Sequence, residues 1–317
     1  MSISVTPGPP AEPTVEHLPQ PVLFLVNGHS RQGREQFGPA LAALRESGLH
    51  IKEAILARDK AETERLLQRE IAGKANMVIA GGGDGTLSLC ANFLAGTPVA
   101  LAALPMGTGN TFARSIGLPI DMEKAVETIA AGHIEAIDVG KCNGVVFLNS
   151  VSLGFSASLA GALTSEVKKK LGLLAWPVTG LKMASRHRPL RVRVTSKEES
   201  FVALTHQLMI ANGRYVAGNI KASEDASLQD DELTVFALGG AGKGEFIKSA
   251  LNWILRHDFE GPGTRYFQTQ KLTVHSLGRA ATVNVDGELD QKTPLEIEVC
   301  PRALRVVVPR GFVADEV

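Results

Sequence analysis

The stretch GGGDGT at residues 81–86 sets one carboxylate, Asp84, among bare backbone where an apolar run gives way to a helical pattern. Glycine lets backbone N–H groups come close to a ligand. A ring of such donors at a helix N-terminus suits an anion, phosphate above all. An aspartate in that ring repels phosphate unless a cation lies between, so Asp84 makes sense with Mg²⁺ bridging it to the phosphates of a nucleotide. Taken alone, the stretch also fits a tight turn whose aspartate caps a helix. It is not alone. PMGTGN at 105–110 is a second glycine-rich turn at the end of an apolar run, again opening a helix. A third loop, NGHSR at 27–31, follows the first apolar run and offers Ser30 and the cation Arg31. The chain has no GxxxxGK[ST] phosphate loop, and GGGDGT lacks the GxGxxG dinucleotide spacing.

A second constellation is VNVDGEL at 283–289, with Asp286 and Glu288 two apart. Phosphoryl transfer needs an acceptor oxygen held in line and a group to receive its proton. In a regular strand the two acids face the same side, and Gly287 between them leaves room for a ligand. The same residues also fit a solvent-facing hairpin tip, since Asp-Gly is a common turn pair.

The elements that must position these residues fall into two halves. PVLFLVN at 21–27, HIKEAILA at 50–57, ANMVIAGGG at 75–83 and VALAALPMG at 99–107 read as strands, separated by helical patterns at 34–48, 60–74, 87–96 and 122–132. Alternation at this pace predicts a parallel sheet with helices on its faces, and ligands of such sheets bind at the carboxyl ends of the strands. From HIEAIDVGK onward, short alternating strands dominate: LRVRVT, FVALTHQLMIAN, ELTVFAL, KLTVHS, ATVNVDG, LEIEVCP and ALRVVVP. That pattern predicts an antiparallel β-sandwich or barrel, the sandwich being preferred, interrupted by helices near 165–185 and 244–255. The fold class is therefore α/β plus β: a doubly wound nucleotide domain at 21–135 and a sandwich at 136–307. Residues 308–317 are placed to return to the first domain. Residues 1–20 are proline-rich and poor in large apolar side chains, the composition of a disordered tail.

GGGDGT followed by PMGTGNTFAR resembles the diacylglycerol kinase catalytic-domain family, which includes bacterial lipid kinases and the sphingosine and ceramide kinases. The resemblance runs from about Val22 to Val308 and takes in IDVGKCNGVVFLN, DASLQDDEL and NVDGELD in the expected order. It implies ATP-dependent phosphorylation of a lipid hydroxyl, with Mg²⁺, and an active site in the cleft between the two domains. Carried over by position, Gly82, Gly83, Asp84, Gly85 and Thr86 hold the phosphates and magnesium, flanked by Leu87, Ser88 and Leu89. Asn27, Gly28, His29, Ser30 and Arg31 contact ATP, as do Gly107, Thr108, Gly109 and Asn110. Asp138, Asp286 and Glu288 match acidic positions of the family's active centre, with Glu288 as the base. A structural magnesium is implied at the Asp230 carboxylate and the Ser227 and Glu232 carbonyls, and oxygen-only ligands suit that metal.

The chain departs from the family at several of these places. Ser88-Leu89 stand where Asn-Glu is usual, Thr111 where the turn carries an aspartate, Gly28 where the first loop has proline, and Asp231 where the metal segment has glycine. A threonine usual after the second strand is not evident at 54–59. The departures bear on nucleotide contacts and the structural metal; they remove neither Asp84 nor Glu288.

Composition narrows the rest. The 317 residues carry no net charge, which argues against a nucleic-acid partner. Cys90, Cys142 and Cys300 form no CxxC pair, and the eight histidines show no metal-binding spacing. No apolar run reaches the ~18–20 residues of a membrane span, and the N-terminus lacks a signal peptide's basic start and apolar middle. A cytoplasmic enzyme meeting its lipid substrate by transient peripheral contact with the inner membrane face fits these facts; assembly state is left open. The run at 165–188, with Lys168, Lys169, Lys170, Trp176, Arg186 and Arg188, fits an interfacial segment and equally a domain-packing helix with a basic end. Two other functions remain open. One is an NAD kinase-like enzyme, against which no second threonine- and glycine-rich motif is found in the β half. The other is a non-catalytic sensor, against which both acids most needed for chemistry are present.

Overall fold

Continuous apolar strands flanked by helices build the first half, as the alternation predicts. In the computed structural model, described for residues 18–162, 187–218, 220–223, 226–239, 244, 246, 248 and 264–314, the order is β1 (Val22–Asn27), α1 (Arg31–Glu46), β2 (Ile51–Ala57), α2 (Lys60–Ala72), β3 (Met77–Gly82), α3 (Asp84–Leu94), β4 (Ala100–Pro105), α4 (Thr111–Ser115) and α5 (Met122–Ala131). β2, β1, β3 and β4 are adjacent and parallel in that order. β1, β3 and β4 are almost wholly buried along their length, which is why they read as unbroken apolar runs rather than alternating ones. Helix starts are set by side chains at three places: Ser30, Asp59 and Asp121 cap α1, α2 and α5.

The second half is antiparallel: β5 (His133–Cys142), β6 (Val145–Phe147), β7 (Ser150–Gly154), then α6 (Phe155–Ala162), β8 (Leu190–Ser196), β9 (Ser200–Ala211), β10 (Tyr215–Ala217), β11 (Ile220–Lys221), β12 (Leu233–Gly239), β13 (Arg265–Thr269), β14 (Lys271–Ser276), β15 (Thr282–Val285), β16 (Glu288–Lys292) and β17 (Leu295–Val308). Its core gathers Phe147, Val151, Leu153, Leu208, Ile210, Val283 and Ile297. β17 is the joint. Its first part pairs with β14, while Val306 pairs in parallel with Leu101 of β4, and β5 runs antiparallel along both parts. Leu304, Val306, Val307 and Val308 thus pack with the first core, beside Phe24 and Phe112.

The segment expected to be a disordered tail lies outside the described residues except for 18–20, and so do residues 163–186 of the basic and apolar run. Of the helix expected at 244–255, Gly244, Phe246 and Lys248 are described and helical. Among the described residues no helix is long and apolar enough to cross a membrane.

Candidate active site

β3 and β4 pair up to Gly82 and Pro105, so the two glycine-rich turns leave the sheet side by side. They touch through bare backbone: a Cβ on Gly107 would overlap Gly83 Cα. Asn110 shapes the second turn, with φ +47° and its side chain bonded to both Gly107 N–H (2.8 Å) and Gly107 C=O (2.9 Å). α3 starts without a side-chain cap. The Thr86 N–H turns back to Gly83 O at 2.9 Å, which leaves the first N–H groups of the helix, those of Asp84 and Gly85, for an anion. The first loop joins this wall where Asn27 Nδ2 donates to Thr86 Oγ1 at 3.2 Å. Arg34 closes that loop by donating to Gly28 O and His29 O.

Asp84 does structural work as well as facing the cleft. Its Oδ1 accepts from Phe112 N–H at 3.0 Å, the opening turn of α4, and its Oδ2 accepts from Thr111 Oγ1 at 3.2 Å. Thr111 Oγ1 in turn accepts from Gly218 N–H at 2.8 Å. One hydroxyl therefore links the α3 carboxylate to the turn between β10 and β11.

The acid pair sits on the β15–β16 hairpin, and here the regular-strand geometry is replaced by a turn. Asp286 and Gly287 both take positive φ, +47° and +101°, as a two-residue hairpin loop requires. The turn sends the two acids in different directions. Asp286 points inward and ties the β6–β7 connection: Oδ2 accepts from Leu148 N–H at 2.6 Å, and Oδ1 from Asn149 N–H at 3.0 Å and Ser150 N–H at 2.9 Å. Burial pushes its carboxyl above the usual aspartate range, opposed by these amides and by the nearby Ser88 hydroxyl. Glu288 is exposed and faces the first domain, so that a Cβ on Gly85 would lie 3.8 Å from Glu288 Oε1.

A cleft of about 570 Å³ results, with Asn27, Gly83, Asp84, Gly85 and Thr86 on one side and Val285, Glu288 and Asp290 on the other. Asp84 also borders a second cavity of about 560 Å³, whose walls include Thr108, Gly109, Ser152, Met209 and Asp286. The two acids of the hairpin are thus divided between the two spaces.

Other expected positions are distributed as follows. His29, Ser88 and Leu89 line the first cleft. Gly82 closes β3 and Leu87 is buried in the core. Ser30 caps α1, and Arg31 is solvent-exposed, 3.7 Å from Glu35. Asp290, the last residue of NVDGELD, lines the cleft too, as do Lys60, Asp59, Thr63 and Asn92, which no motif marks. Lys60 opens a charged helix, where a lysine looks ordinary.

Asp138 lies with the 227–232 segment rather than with Asp84 and Glu288. It is fully buried, its Oδ1 accepting from Arg302 N–H (2.8 Å) and its Oδ2 from Asp231 N–H (2.8 Å). Asp230 receives the N–H groups of Ser227 (2.9 Å) and Glu232 (3.0 Å). Burial, with the negative charges of Asp138 and Glu232 adding to it, pushes Asp230 up to about 6, against the pull of those two amides. Asp231 takes φ +60°, a conformation glycine favours and aspartate tolerates. Its buried Oδ1 has no hydrogen-bond partner. Side chains alone make no metal site: among the described residues no group of three His, Cys, Asp or Glu is placed to hold an ion.

Residues 21–142 match the diacylglycerol kinase catalytic domain, and residues 149–308 match the YegS C-terminal NAD kinase beta sandwich-like domain. The chain is 30% identical over 238 residues to the diacylglycerol kinase of Bacillus subtilis, covering 74% of this chain and 78% of that one. It is 29% identical over 308 residues to a Pseudomonas aeruginosa protein described as a probable lipid kinase YegS-like, covering 92% and 95%. The fold matches the crystal structure of a diacylglycerol kinase from Bacillus anthracis with a TM-score of 0.73 at 25% identity, over 92% of this chain and 98% of that one.

Proposed function

The chain belongs to the diacylglycerol kinase catalytic-domain family of lipid kinases, and on that premise we propose that it transfers the γ-phosphoryl group of Mg-ATP to the hydroxyl of a diacylglycerol-like or sphingoid lipid. The observation that carries this reading is the placement of Glu288, a carboxylate from the β half, across the cleft from the open N-terminus of α3. Phosphates rest on the Asp84 and Gly85 amides, with the helix dipole favouring their charge. Lys60, at the cleft wall, adds a cation to the same anion. Glu288 accepts the proton of the attacking hydroxyl. Asp286 holds the hairpin that aims Glu288 and is a positioning residue.

Asp84 fits magnesium. Each of its oxygens accepts one hydrogen bond, and each keeps a further lone pair for a hard cation. Magnesium bound there neutralises charge on the phosphates. A second magnesium fits the 227–232 segment: Arg302 stands 3.7 Å from Asp138, whereas buried Asp230, beside Asp138 and Glu232, has no cation of its own among the described residues and would be relieved by one. The Asp230 carboxylate with the Ser227 and Glu232 carbonyls would hold it. We place the enzyme in the cytoplasm, at the inner membrane face where its acceptor lies.

Incubation with γ-labelled ATP, a panel of lipids and, as comparison, NAD tests the reading. Label in an organic-phase product is the expected result. Label in NADP alone, or in no product at all, overturns it.

A further inference from the structure

The outer face of the sheet formed by β9, β8 and β14 has an unusual surface. Two aliphatic side chains stand in solvent, Val202 at 46% and Leu204 at 53% exposure. The register surrounds them with cations. Arg193 lies opposite Val202 and next to His275, and Arg191 lies opposite Leu204. Arg188, just before β8, and Arg279, in the turn that follows β14, are exposed as well. Among the described residues none of these four arginines has an acidic partner. β8, β9 and β14 themselves hold no acid; of the acids beside them, Glu199 pairs with Arg265, Glu298 on β17 pairs with Lys271, and Glu296 on β17 stands opposite Thr273 rather than beside either arginine. Cations beside exposed aliphatic carbon, without a paired counter-charge, complement one kind of partner, a surface of anionic headgroups over hydrocarbon.

The position of this face matters too. β9 alternates in one phase up to Ala203 and in the opposite phase from Leu208: Phe201 and Ala203, then Leu208 and Ile210, pack in the sandwich core. A register shift opposite residues 205–207 accounts for the change. Val202 and Leu204 therefore share a face with Met209, not with Leu208. Met209 lines the second cavity, beside Ser152 and Asn284, which pair with it across β7 and β15. Leu204 and Val202 are about 17 and about 24 Å along the strand from Met209, at ~3.4 Å per residue. We infer that the outer face of β9, β8 and β14 is a docking surface for an anionic lipid membrane, with Arg191 and Arg193 on the headgroups and Val202 and Leu204 entering between them. Docked so, the sheet face that floors the second cavity continues from the membrane surface.

Co-sedimentation with vesicles of phosphatidylcholine containing phosphatidylglycerol, against phosphatidylcholine alone, tests this without turnover, so failure here leaves the kinase reading standing. Wild type should partition onto the anionic vesicles and be released by salt. Arg191→Ser/Arg193→Ser should weaken partitioning about thirtyfold, and Val202→Ser/Leu204→Ser about tenfold. Arg45→Ser/Lys124→Ser, with equal charge loss on the first domain, should bind as wild type, and thermal melts should show all variants folded. Partitioning unchanged in both sheet-face variants overturns the inference. So does a wild-type dimer that the arginine pair dissociates while vesicle binding stays the same, since the face would then meet a second copy of the chain.

Discussion

The Thr111 hydroxyl stands 3.2 Å from Asp84 Oδ2 and 2.8 Å from the amide of Gly218. It occupies the place where the resembling family carries an aspartate, and it gives Asp84 a donor where a carboxylate would give it a second negative charge. Thr111→Val removes both bonds from a buried position. It should lower stability by about 1–3 kcal/mol and lower turnover more than the stability loss explains, because Asp84 is released. Thr111→Ser should restore both. Thermal unfolding beside steady-state transfer assays checks this; a Thr111→Val enzyme with wild-type kcat means that the contact does not position Asp84.

As the proposed base, Glu288 should contribute chemistry and almost no stability. It is exposed at the hairpin end, and surface substitutions of this kind typically stay within about 0.5 kcal/mol. Glu288→Gln should therefore melt like wild type and transfer about 10²–10⁴-fold more slowly, the usual contribution of a general base. Nucleotide affinity, measured by titration calorimetry with a non-hydrolysable analogue, should change little. Wild-type turnover would remove Glu288 from the role of base.

What the sequence made legible follows from what is local. The proposed phosphate wall is local: an apolar run ending in glycine, then a helix, repeated on neighbouring strands, and β3 and β4 show that arrangement. The hairpin acids are separated by a torsion choice. Spacing alone put Asp286 and Glu288 on one face, and positive φ at two consecutive residues turned one inward and the other into the cleft. Asp138 was out of reach for another reason. Its partners, Asp231 and Arg302, lie 93 and 164 positions away: the pairing of β5 with β17 brings up Arg302, and the bond from Asp138 N–H to Leu228 O docks the segment that carries Asp231. Lys60 carries no signal at all, since a lysine opening a charged helix is what any exposed helix shows.

Asp286 predicts a pH profile. Burial holds its carboxyl above the ordinary range despite three amide donors, whereas in the unfolded chain it titrates near ~3.9. The native state thus keeps a proton that the unfolded chain gives up. This group's contribution to stability is fully present below about pH 4 and is lost as pH rises through the higher native value. Asp286→Asn, which cannot titrate, should flatten the decline in melting temperature across that range. It should also slow transfer, since asparagine has one acceptor oxygen where Asp286 uses two to hold the Leu148, Asn149 and Ser150 amides that anchor the hairpin. Melts from pH 4 to 8 measure the first effect; identical profiles for variant and wild type contradict the assignment.

The contact between the two glycine-rich turns makes the sharpest demand on side-chain size. Gly83 and Gly107 face each other with no room for a methyl on Gly107: its Cβ would overlap Gly83 Cα and sit 2.9 Å from Asn110 Oδ1. Both obstacles are fixed. One is backbone, and the other is a side chain pinned by two hydrogen bonds to Gly107 itself. Gly107→Ala must therefore push the turns apart, at a cost of about 1–3 kcal/mol, and the displacement falls on the wall that presents the Asp84 and Gly85 amides. Gly38, inside α1 with nothing within 4 Å of an added Cβ, is the matched control: Gly38→Ala should stabilise by about 0.5–1 kcal/mol and leave transfer unchanged. Chemical denaturation and nucleotide binding on the two variants should move in opposite directions for stability, with only Gly107→Ala losing affinity. Full nucleotide affinity in Gly107→Ala would mean that the two turns do not form one phosphate wall.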